Sequence, residues 1–207
     1  GQEGTPFQAD AVAAYTAMGA LEMPSGDWRR AALIQSGYTR EAYLREILDV
    51  MHAKRVLARV SIQDAQNTSF EDDRITPLIA LPDDFFAPGR YGVDYAKRAE
   101  DICFAANTCG AKDVLMDQFD EKALQFCLVP ICEDVQLRLH IRLTDRQMLN
   151  VFLKLLDASD SLRAVAFGGE DVEPMLIEAA VTRRRLLVRT GRHISLAIRK
   201  LGTRFVP

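Results

Sequence analysis

Aromatic side chains are few, with one Trp, five Tyr and ten Phe in 207 residues. Cysteine (four) and histidine (three) are scarcer still. His52, His140 and His193 form no His-x3-His or His-Glu-x2-His frame. Cys103, Cys109, Cys127 and Cys132 are separated by mostly apolar spacers of five and four residues rather than by the tight knuckles that zinc needs. They read as buried thiols ahead of a disulfide or a metal site. No apolar run approaches the length that spans a bilayer. There is no G-x4-G-K-[ST] loop, no G-x-G-x2-G fingerprint, no G-x-S-x-G elbow and no S-x2-K pair. These absences exclude the standard nucleotide loops and the common hydrolase frames.

What is present is ordinary for a globular chain. At 48% hydrophobic and 27% charged residues, disorder is excluded, and the length suits one or two domains. Net charge is −3 but unevenly spread. Residues 181–207 carry eight Lys or Arg and no acid, which leaves 18 basic against 29 acidic residues elsewhere, a net −11. A cationic end on an anionic body either packs internally or attracts nucleic acid, an anionic membrane face or an acidic protein. The chain opens on Gly1-Gln2-Glu3-Gly4 without Met, which reads as a processing remnant and leaves a targeting segment open. A cytoplasmic placement is the expectation.

The last third carries the clearest pattern. Val135 to Leu143 alternates, with Val135, Leu137, Leu139, Ile141 and Leu143 on one face and Gln136, Arg138, His140 and Arg142 on the other, as in a half-buried strand. Thr144 to Gln147 has capping-box form, and Met148, Leu149, Phe152, Leu155 and Leu156 recur at helical spacing. Residues 161–167 read as a second strand. They are followed by Gly168-Gly169, an N-cap at Asp171, Pro174 in the first turn and a stripe of Met175, Leu176, Ala179 and Ala180. Residues 186–189 read as a third strand before a helix over 194–201. Alternatively, 181–201 forms one basic amphipathic helix.

The strand starts recur about every 25 residues, a spacing similar in length to leucine-rich repeats. Only Leu162-x-x-Val165-x-Phe167 fits that strand consensus, and Glu170 stands where the ladder asparagine belongs. An open sheet of βαβ units is therefore expected.

The earlier chain reads as helical over Phe7–Leu21 and Trp28–Ile34, and again from a Thr39 cap to about Leu57. Residues 61–74 are a polar linker. Ile75–Leu81 is apolar, but Pro77 confines it to a sheet edge. A helix runs from Asp94 to about Asn107 with Gly110 as its stop, and a short helix covers Asp113–Phe119. Residues 123–131 form a strand that turns at Glu133-Asp134 into the alternating one, as a hairpin. The fold class is α/β or α+β, with a helical N-terminal part (7–60) and a sheet-bearing part (75–207).

No catalytic residue and no metal ligand emerges, and no cofactor or small-molecule ligand is expected. The carboxylate runs at Glu71-Asp72-Asp73, Asp83-Asp84 and Glu133-Asp134 read as solvated turns. The expected function is a non-catalytic interaction module. It docks a protein partner through Arg185, Arg189, Arg192, Arg199 and Lys200 of a basic C-terminal helix and through the sheet face. One alternative is nucleic-acid binding by Arg183 to Arg204, where Phe205 is the sole aromatic nearby. The other is a small enzyme holding a phosphate-bearing ligand at Gly168, Gly169, Thr190, Gly191 and Arg192, where strands hand over to helices.

Overall fold

The computed structural model describes residues 31–34, 41–50, 55–169 and 171–188, which form a mixed α/β protein with a parallel sheet. They fall into two compact units. Among the described residues, one holds those up to 59 together with 69–77, and the other holds 60–68 and 78–188.

In the first unit β1 (Ala31–Ile34) and β2 (Arg55–Ser61) pair in parallel, with α1 (Glu41–Val50) between them in the chain. The Glu41 carboxylate accepts from the backbone amides of Glu71 and Asp72 at 3.0 and 2.9 Å, which ties that segment to α1. Two strands thus interrupt the stretch read as helical. Ala31–Ile34 is extended, and the helix expected to reach Leu57 ends at Val50. Val56, Leu57, Ala58 and Val60 are all buried. A parallel strand covered on both faces has no alternation to betray it. Phe7–Leu21 lies outside the described residues.

In the second unit β3 (Ile75–Ala80) leads through α2 (Tyr95–Cys109) to β4 (Asp113–Met116). A helical stretch follows: the single turn α3 (Glu121–Ala123), a π-helical turn Leu124–Leu128 and α4 (Val129–Asp134). Then come β5 (Arg138–Leu143), α5 (Arg146–Ala158), β6 (Arg163–Gly168), α6 (Glu173–Thr182) and β7 (Leu186–Val188). From Leu78 on, β3 to β7 stand side by side in sequence order, every pairing parallel. Right-handed crossovers between neighbouring parallel strands put the connecting helices on one face. Leu139, Ile141, Leu143, Ala164, Ala166 and Leu186 are buried on that face, with α5 against β5 and α6 against β6 and β7.

The 25-residue recurrence is real in space. Asp113, Arg138 and Arg163 sit on one rung, and Leu115, His140, Val165 and Leu187 on the next one with the same facing. The leucine-rich frame fails, however. Leu162, Ala164 and Ala166 point to the core, while Val165 and Phe167 take the other face.

Several expectations are corrected. No hairpin precedes β5, because residues 121–134 are helical and β4 pairs with β5 in parallel. Their buried residues, Leu124, Cys127, Leu128, Ile131 and Cys132, follow helical spacing, and Pro130 comes directly after the π-helical turn Leu124–Leu128, an irregularity of the hydrogen-bond ladder within the helical stretch. Asp113–Met116 is a strand, buried at all four positions. Pro77 is not on an edge strand, since β3 has β2 as one neighbour and β4 as the other in the strand order. The Leu81 amide donates to the Leu115 carbonyl at 3.0 Å, so by strand parity the Pro77 nitrogen faces the β4 side. Pairing there starts only at Leu78, and no ladder bond is lost.

The caps also differ. Asp145, not Thr144, caps α5 by accepting from the Met148 amide at 2.9 Å. Val172, not Asp171, is the N-cap of α6 and has no side-chain cap. The inward face of α6 is Glu173, Leu176, Ile177 and Ala179. The single helix over 181–201 is excluded by β7. Asp94 and Gly110 do bound α2 as expected, Asp94 accepting from the Lys97 amide and Gly110 taking the left-handed conformation (φ 72°).

Candidate functional site

The face of the sheet turned away from the helices changes character across the strands. At β3 and β4 it is buried, through Leu78, Asp113 and Leu115. At β5 it carries Arg138, His140 and Arg142, and at β6 Arg163, Val165 and Phe167. Arg142 and Arg163 are exposed, and Val165, Phe167 and Leu187 are half-exposed.

The residues expected to be merely solvated are in part a buried ionic pin. His140 is buried, and its Nε2 donates to Asp113 Oδ1 at 2.8 Å. The Arg138 guanidinium donates to Asp113 Oδ2 at 2.7 Å. Burial pushes the Asp113 carboxyl up. The hydrogen bond from His140 and the charges of His140 and Arg138 outweigh it and hold the group below the usual aspartate range. The pin lies at the N-terminal ends of β4 and β5. Parallel α/β sheets do their chemistry at the opposite, C-terminal ends, so the triad reads as a structural clamp between strands. It leaves Arg142 and Arg163 as the outward charges of this face, and neither has an acidic partner among the described residues.

Arg189, Thr190, Gly191, Arg192, Arg199 and Lys200 fall outside the described residues. Arg183 and Arg185 are engaged within the fold. Arg183 forks onto Asp157 through two bonds of 2.7 Å. Arg185 donates to the Ser159 carbonyl and, at 3.5 Å, to that of Leu156 at the C-terminal end of α5. A guanidinium there satisfies carbonyls that the helix leaves open.

The Gly168-Gly169 turn does sit between β6 and α6, as expected. Just beyond it the amides of Val172 and Glu173 both donate to the Gly169 carbonyl at 3.1 and 3.0 Å. Glu173 is itself buried in the first turn of α6, an acid where an anion would have to lie. Gly168 has a packing reason instead. A Cβ there would stand 2.6 Å from the Leu143 carbonyl oxygen and 3.3 Å from the Val172 Cβ.

A pocket of about 200 Å3 opens beyond the C-terminal ends of β3 and β4, between Leu81, Phe86, Met116 and Phe119, with Asp83, Asp117 and Asp120 at its wall. Its volume falls below the roughly 300–1,000 Å3 typical of small-molecule sites. Asp120 already caps α3 by accepting from the Ala123 amide at 3.0 Å. Among the described residues no group of three or more His, Cys, Asp or Glu is placed to hold a metal. The four cysteines are free thiols. Burial pushes Cys127 up to about 12 and Cys132 further, so neither is a thiolate at neutral pH.

No family model, curated protein or solved structure matches the chain. No described helix is long and apolar enough to cross a membrane.

Proposed function

We propose that the chain is a non-catalytic interaction module that docks a partner protein on the sheet face of β5 to β7. One observation carries this reading: exposed Arg142 and Arg163, without a counter-charge among the described residues, share that face with half-exposed Val165, Phe167 and Leu187. Apolar area gives an interface its affinity, and charge beside it gives orientation and on-rate. Arginine in particular is over-represented at such interfaces. Of the basic residues expected to dock a partner from a C-terminal helix, Arg185 is spent inside the fold, while Arg189, Arg192, Arg199 and Lys200 lie outside the described residues.

The test compares two faces. A photo-crosslinking side chain at Val165 should capture one protein from cells that make this chain, and the R142E/R163E background should abolish the capture. The same probe at Lys154, on the exposed side of α5, should not capture it. Equal capture from both positions would contradict the reading.

A further inference from the structure

We infer that this face takes an extended acidic segment of the partner, with carboxylates at positions i and i+4 and an apolar side chain at i+2. The inference rests on the interaction-module reading above and gives it a ligand. Arg163 pairs with Arg138, and Arg142 lies four residues beyond Arg138 on the neighbouring strand. With about 3.3 Å of rise per residue and about 4.8 Å between strands, the two arginine Cα atoms stand about 14 Å apart. In an extended peptide, residues i and i+4 point the same way about 13 Å apart. The intervening i+2 side chain then falls beside Val165, which is half-exposed and pairs across the rung with the buried His140, while Leu187 lies one strand further out.

Charge complementarity decides the sign of the occupant. In this unit Arg138 is neutralised by Asp113 and Arg183 by Asp157, while Arg185 is bound to helix carbonyls. Arg142 and Arg163 have no such counterpart among the described residues. A guanidinium presents a planar fork that suits a carboxylate. Val165, half-exposed between the two arginines, favours an apolar peptide side chain over a second phosphate, which sets a protein segment ahead of a nucleic acid.

The test is fluorescence anisotropy of labelled peptides with the full chain. One peptide carries Glu at i and i+4 with Leu at i+2. A second has Gln at both Glu positions, and a third moves the glutamates to adjacent positions. A labelled single-stranded oligonucleotide is the fourth probe. The first peptide should bind at least tenfold more tightly than the second and third, and R142Q/R163Q should remove that margin. Both arginines are exposed and have no ion pair among the described residues, so the variant should fold as the parent does. R184Q should leave the margin intact. Raising salt from 50 to 200 mM should weaken the first peptide and not the second, since exposed charges are screened over about 8–10 Å.

Equal binding of the Glu and Gln peptides overturns the proposal. So does oligonucleotide binding that exceeds the peptide's and is lost in R142Q/R163Q. If the peptides fail while the Val165 crosslink still captures its partner, the acidic chemistry falls and the docking face stands. If both fail, the interaction-module reading falls with it.

Discussion

Asp113 is the residue on which β4 and β5 are most tightly joined. It is buried and accepts from both His140 and Arg138. An asparagine there keeps one acceptor but turns an NH2 donor towards the other partner and removes the charge, and breaking a buried pair in this way costs about 3–5 kcal/mol. D113N should therefore lower the denaturant midpoint sharply. The pH dependence has a definite sign. A carboxyl held below its unfolded value stabilises the fold fully above the usual aspartate range, near pH ~3.9, and the contribution fades as pH falls through the lower folded value. The gap between parent and D113N, measured by urea denaturation at several pH values, should narrow on acidification below that range.

Gly168 offers a second residue-scale test. G168A drives a methyl group into a backbone carbonyl 2.6 Å away. Overpacking of this kind costs about 1–3 kcal/mol. At Gly169 nothing lies within 4 Å of the added atom, so G169A should be close to neutral in the same thermal melt.

At the scale of elements, α5 is held at both ends by side chains, Asp145 at its start and Arg185 at its end. R185A should cost about 1 kcal/mol, the usual worth of a hydrogen bond to carbonyls otherwise left open. R184A, exposed and one residue away, should move the melting midpoint little.

This is also the scale at which the sequence was most and least legible. The alternation through Leu139, Ile141 and Leu143 identifies β5 because one of its faces is partly solvated. The same reasoning fails for β4, whose four residues are all buried and show no period. It fails again over residues 124–132, where a dense apolar run hides helical spacing and Pro130 suggests an edge strand. Ala31–Ile34 has the composition of a helix and is extended because β2 pairs with it. The Asp113 clamp was invisible for a simpler reason. Its members lie 25 and 27 residues apart in sequence and meet only through the strand register. Arg142 was already placed on the outer face, but the partnership of Arg163 with it also needed that register.

At the scale of the whole molecule, successive βα units in sequence order give the second unit a helical side and a sheet side, and the account assigns docking to the sheet side. That assignment predicts which arginines meet solvent. Labelling the intact chain with phenylglyoxal and reading each site by mass spectrometry tests it directly, first alone and then with the protein captured at Val165. Arg142 and Arg163 should react rapidly in the free chain and become protected in the complex. Arg138 and Arg185 should react slowly in both. Slow reaction of Arg142 and Arg163 in the free chain, or rates for them that the partner leaves unchanged, would contradict the account.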